Sequence, residues 1–159
     1  FVEAARRVLQ KTKDVRFVMA GSGDMMNQMI HLAAKSGIAD KFHFTGFLKG
    51  RQVHEMLAES DVYMMPSVSE PFGISPLEAM QVGAPSIISK QSGCAEILTN
   101  AIKTDYWDID AMADAIYAIV KYPAMYKMLR EQGIAEVNNI KWEYAGQKVR
   151  DIYNKVLNL

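Results

Sequence analysis

Residues 62–89, VYMMPSVSEPFGISPLEAMQVGAPSIIS, hold a strand, a loop, a helix and a second strand in one unbroken unit. Val62 to Met65 is an apolar run of strand length, stopped by Pro66, which has no amide to give to a sheet. Pro76 to about Gln81 reads as a helix ended by Gly83, and Ser86 to Ser89 is the next strand. Two strands joined by a helical crossover pair in parallel, so this stretch decides for an α/β sheet. The loop from Ser67 to Gly73 leaves the carboxyl end of the first strand, where open parallel sheets bind ligands.

The same alternation runs outward in both directions. Residues 1–11 set Val2, Ala5, Val8 and Leu9 on one helical face, ahead of a strand at Val15–Ala20 that ends in Gly21-Ser22-Gly23. A Met-rich helix follows from about Asp24 to Lys35, then a short strand at Phe42–Thr45 closed by Gly46 and a helical pattern over Gly50–Ser60. Beyond the central unit come a short helix around Cys94–Leu98 and a weak strand at Ala101–Lys103. The rest is helical. Its three apolar faces are Met112/Ile116/Ile119/Val120, Met125/Met128/Leu129, and Ala145/Val149/Ile152/Tyr153/Val156, the last entered through Trp142. The expected fold is a Rossmann-like, doubly wound parallel sheet with helices on both faces and a helical carboxy-terminal tail.

Composition narrows the function. The 159 residues carry 18 Lys+Arg against 18 Asp+Glu, a balance that argues against nucleic acid as a main partner. No run of 18 apolar residues is present to span a bilayer. The one cysteine, Cys94, allows neither an internal disulfide nor a multi-cysteine metal site, which suits a reducing compartment. His31, His43 and His54 fall on separate elements without ligand spacing, so no metal is expected. The 11 methionines sit mostly at helical core spacing, where packing is the plainer reading.

In the central loop, Ser75 suits the N-cap position and Pro76 the first helical position, with Glu78 completing a Ser-x-x-Glu capping box. Gly73 lets the backbone approach a ligand closely, and the unpaired amides of the helix start form an anion site suited to a diphosphate. The plainer reading is open beside it: Glu78 as a cap and Glu70 as a solvated loop residue. A glycosidase-like pair of carboxylates is a third possibility, with nothing in the sequence to supply its cleft.

The Glu-x7-Glu spacing of Glu70 and Glu78 lies inside Pro66-Ser67, Glu70-Pro71-Phe72-Gly73, Leu77-Glu78-Ala79-Met80 and Gly83-Ala84-Pro85. This pattern resembles the signature of the retaining, nucleotide-sugar-dependent glycosyltransferases of family 4, which have the GT-B fold. Phe17–Gly23, Phe44–Leu48, Gly93–Leu98, Asp108–Ile116 and the Trp142 helix resemble further family segments in order and spacing. The resemblance implies that Glu78 holds the ribose hydroxyls of a donor nucleotide and that Glu70, the catalytic carboxylate, contacts the donor sugar near the reacting carbon. It implies that amides of Phe72, Gly73 and Ile74, next to Ser75, meet sugar and phosphate oxygens. Backbone at Phe47 and Leu48 would face the base, and Gly21 and Gly23 would shape a turn near the nucleotide.

The implied reaction transfers a glycosyl group from a UDP-, GDP- or ADP-sugar to a carbohydrate or lipid-linked acceptor with retention of configuration, without a metal or other cofactor. A cytoplasmic location, peripheral to the membrane surface, would follow for lipid-linked acceptors, and the mildly basic tail (Lys141, Lys148, Arg150, Lys155) is compatible with it. Two alternatives are a non-catalytic nucleotide-sugar-binding module and a GT-B-fold nucleotide-sugar epimerase. A dinucleotide site is disfavoured, because Gly21-Ser22-Gly23 runs into Asp24-Met25-Met26 without the third glycine.

By the same resemblance, residues 1–159 are expected to form a single donor-binding domain that lacks its first strand, the family's upstream Arg and Lys, and the acceptor domain. Such a fragment would be inactive alone. In the order 3-2-1-4-5-6 the first strand is central, so its loss would leave the strands at Val15–Ala20 and Val62–Met65 with open edges. Either a homodimer fills that gap or the strand order closes over it.

Overall fold

Every strand pairing in the computed structural model, which describes residues 1–157, is parallel. The elements alternate as α1 (Val2–Lys11), β1 (Phe17–Ala20), α2 (Met26–Lys35), β2 (Phe42–Gly46), α3 (Arg51–Ala58), β3 (Tyr63–Met65), α4 (Ser75–Gln81), β4 (Ser86–Ser89) and β5 (Ile102–Thr104). Three helices follow: α5 (Ile109–Lys121), α6 (Pro123–Asn138) and α7 (Trp142–Leu157). The expected Cys94–Leu98 helix is a single 3₁₀ turn, Gly93–Glu96. All four residues of β4 are buried, as a central parallel strand covered on both faces requires.

The main core forms where α1 and α5 pack together under the strands. Val2, Ala5, Val8 and Leu9 meet Met112, Ile116 and Ile119, all buried, and each of the larger side chains contributes about 1.5–3 kcal/mol by leaving water. Arg7–Asp110 and Lys11–Asp114 ion pairs border this seam. The rings of Phe17 and Phe42 stack at 5.3 Å and those of Phe42 and Phe44 at 5.6 Å, with Phe1 edge-on to the first two. Asp108 caps α5 by accepting from the amide of Ala111 at 2.9 Å.

One expectation needs correction. The strand order does not close over the gap: among the described residues β1 pairs only with β2, while β3, β4 and β5 form a separate ladder in that order. Between β1 and β3 runs a groove of about 800 Å³, with Val18 and Met19 on one side and Val62 and Met64 on the other. The third helical face is not part of the core. Helix α7 has no buried residue, and Val149, Ile152, Tyr153 and Val156 are all exposed. Their spacing gives a helix correctly but says nothing about a surface to cover it.

Candidate functional site

The loop that carries Glu70 is held from below by the segment after β4. Gly93 donates its amide to the carbonyl of Glu70 at 2.9 Å, and Cys94 donates to the carbonyl of Phe72 at 2.7 Å. A parallel bridge joins Glu70 to Ser92, whose hydroxyl donates to the carbonyl of Ser89 at 2.6 Å. The loop is thus fixed to the end of the most buried strand, and Cys94, itself fully buried, serves packing there.

Gly73 has φ +89°, and a β-carbon on it would lie 2.8 Å from Met65 Cε and 3.2 Å from Glu70 Cγ. Glycine is needed on both counts, strain and space. The amides of Phe72, Gly73 and Ile74 donate to no backbone carbonyl among the described residues, so they remain available to a ligand's oxygens.

The capping box is not formed. Ile74 has helical dihedrals (φ −74°, ψ −34°) and occupies the N-cap position without a side-chain hydrogen bond, so α4 begins at Ser75 and Pro76 follows one residue inside. The amides of Leu77 and Glu78 both turn to the Ile74 carbonyl, at 2.9 and 3.1 Å. Ser75 is therefore released from capping, and it lines a cavity together with Tyr63. Glu78 is exposed and free of a capping role, which leaves its carboxylate open to a ligand. With seven residues, α4 is a short helix, and the anion site expected there reduces to the loop amides.

Tyr63 ties the two carboxylates together. Burial, more than any neighbour, raises the ionisation of its phenol to about 12, Ser75 opposes the shift, and Cys94, Glu78 and Glu70 add to it by their charges. Both predicted carboxylates thus lie within electrostatic reach of one hydroxyl. A cavity of about 260 Å³ opens beside it, bringing together Gly21, Phe47, Leu48 and Ser75 of the sequence-predicted set. Gly23 stands apart, in the turn before α2, where its carbonyl accepts from the amide of Met26 at 3.0 Å. Glu70, Phe72, Gly73 and Ile74 lie on the loop leading into Ser75 and do not line this cavity. His31, His43 and His54 are exposed on α2, β2 and α3.

Helix α6 supports the site from behind. Arg130 donates to the carbonyl of Gly83 at 3.1 Å, and Gly133 lies against Met80 of α4. Glu136 accepts from the amide and hydroxyl of Thr99 at 2.7 and 2.6 Å and from the amide of Asn100 at 2.8 Å. Tyr63 and Glu136 are the contributors that sequence reasoning missed. A strand tyrosine reads as core, and a glutamate in the last turn of a helix reads as solvated surface.

Residues 1–136 match the model of the family described as glycosyl transferases group 1. The chain belongs to this family. An uncharacterized glycosyltransferase of Methanocaldococcus jannaschii is 32% identical over 156 residues, covering 97% of this chain and 36% of that protein. A 2-deoxystreptamine N-acetyl-D-glucosaminyltransferase of Niallia circulans is 30% identical over 140 residues, 86% of this chain and 36% of its own length. The group 1 glycosyltransferase domain described here therefore spans about a third of the length of these relatives.

Solved structures agree in fold. TarM superposes with a TM-score of 0.85 at 19% identity, over 96% of this chain and 31% of that one. An Anabaena protein, HepE, in complex with UDP and glucose, superposes at 0.82 with 18% identity, over 97% and 44%. At such identities the likeness establishes the α/β architecture, which is that of GT-B glycosyltransferases. This glycosyltransferase domain thus has the family and the fold that the Glu70–Glu78 motif implied.

Proposed function

We propose that this domain binds the donor of a glycosyl transfer, a nucleoside diphosphate sugar, and that the complete enzyme moves its glycosyl group to an acceptor with retention. The observation that carries the reading is the convergence around Tyr63: the Glu70 loop with its open amides, the uncapped Glu78, and the cavity walled by Gly21, Phe47, Leu48 and Ser75. Glu78 accepts from vicinal ribose hydroxyls, as an ionised carboxylate can do with two donors at once. The amides of Phe72, Gly73 and Ile74 meet the charge that grows on the departing diphosphate. Glu70, braced by Gly93, contacts the sugar next to the breaking bond.

No step of this scheme calls on a metal or cofactor; the donor is a UDP-, GDP- or ADP-sugar and the acceptor a carbohydrate or lipid-linked sugar. We place the enzyme in the cytoplasm, peripheral to the membrane when the acceptor is lipid-linked, and we place pairing between two copies along the open edges of β1 and β3. The test is a transfer assay on the complete enzyme with the product's anomeric configuration read by NMR. Glu70→Gln is expected to lower kcat by roughly 100-fold or more while the nucleotide still binds. Inverted product, or full activity in that variant, overturns the assignment.

A further inference from the structure

The cavity beside Tyr63 has an uneven wall. Val53 and Met56 of α3 make one side apolar, Phe47 and Leu48 close another, and the polar side chains lining it are Tyr63 and Ser75 alone. Its volume of about 260 Å³ suits a flat heterocycle. A nucleobase has two apolar faces and one polar edge, and must be held by groups that address both. Tyr63 and Ser75 line the cavity together, and the charge of Glu78, the proposed ribose ligand, acts on the Tyr63 phenol.

We propose that Tyr63 determines which nucleotide the domain accepts, its hydroxyl hydrogen-bonding the polar edge of the base together with Ser75. This rests on the nucleotide-sugar reading and adds a side chain that reads the base, where the backbone at Phe47 and Leu48 would only border it. The phenol suits the task. Its ionisation is pushed up to about 12, so it stays neutral across any working pH and serves as both donor and acceptor. A site that hydrogen-bonds the polar edge discriminates against bases whose donors and acceptors do not match its hydroxyls, and this is where selectivity arises.

Calorimetric titration of the chain with UDP, GDP and ADP, repeated on Tyr63→Phe and Ser75→Ala, tests the proposal. The parent chain is expected to prefer one nucleotide. Tyr63→Phe, which keeps the ring and its packing, should weaken that nucleotide roughly threefold to tenfold while the other two change little. Ser75→Ala should shift the same ratio in the same direction, and it guards against a folding defect in the first variant. An equal loss for all three nucleotides, or an unchanged ratio, overturns the role of Tyr63 and leaves the donor-binding reading standing. A parent chain that binds none of the three overturns both.

Discussion

The amide of Gly93 donates to the carbonyl of Glu70 at 2.9 Å, and a β-carbon on Gly93 would lie 2.0 Å from the carbonyl oxygen of Pro71. Two loops distant in sequence thus touch backbone to backbone, with no room for even one methyl group. The Glu70 loop takes its position from β4 through this contact. Flexible side chains play no part in it.

Gly93→Ala must move the loop, since the obstructing atoms are backbone and cannot rotate away. Overpacking of this kind costs roughly 1–3 kcal/mol, read as a lower midpoint in urea unfolding. Nucleotide-sugar affinity should fall along with it, because Phe72 and Gly73 shift with Pro71. A variant with parental stability and parental affinity would show that the loop is not held there.

Glu78→Gln separates a binding role from a structural one. The carboxylate is exposed and makes no capping bond at Ile74, so the melting temperature should be unchanged. Hydrogen bonds to a charged group are worth about 1.5–3 kcal/mol, which predicts a loss of nucleotide affinity of roughly 10- to 100-fold. Calorimetry beside a thermal melt checks both halves. Lowered stability with intact affinity would return Glu78 to the part of a helix cap.

These residues mark how far the sequence was readable. Strand β4 appears at its predicted bounds, Ser86–Ser89, because an apolar run between Gly83-Ala84-Pro85 and a polar turn has few other readings. The Ser75–Glu78 capping box was equally regular as a pattern and still did not form. Whether Ile74 or Ser75 takes the N-cap position depends on the dihedrals of Ile74, which the residue pattern does not encode. The site loop was legible as a motif, but the Gly93 brace beneath it was not, because it is made by backbone. The faces of α1 and α5 were legible as core since each finds the other. The equally periodic face of α7 finds no partner among the described residues.

Glu136 should give the fold an acid-sensitive clamp. Partial burial pushes its carboxyl up, but hydrogen bonds from Thr99 and Asn100 outweigh that and hold it below the ordinary value of 4.5. A carboxyl lowered in the folded state contributes stability that is complete above 4.5 and lost as pH falls through the lowered value. Glu136→Gln should therefore destabilise the domain near neutral pH, by roughly 0.5–1 kcal/mol because solvent screens this partly exposed carboxylate, and the difference from the parent should shrink on acidification. Urea midpoints at neutral pH and below 4 make the comparison. A gap between variant and parent that stays constant would exclude the clamp.

Helix α7 supplies the sharpest test of what stabilises the rest. Trp142 is 89% exposed, Val156 72% and Tyr153 63%, and the helix buries no residue. Such a helix contributes little to the core around β4, however regular its apolar spacing. Truncation after Ile140 is therefore expected to leave the unfolding free energy of residues 1–140, read by urea titration, within about 0.5 kcal/mol of the parent, as for changes remote from any packed feature. Removing an apolar stripe of this size should also raise the concentration at which the protein stays monodisperse in light scattering. If truncation instead lowers the unfolding midpoint sharply, α7 packs on the domain in solution, and its face belongs to the core after all.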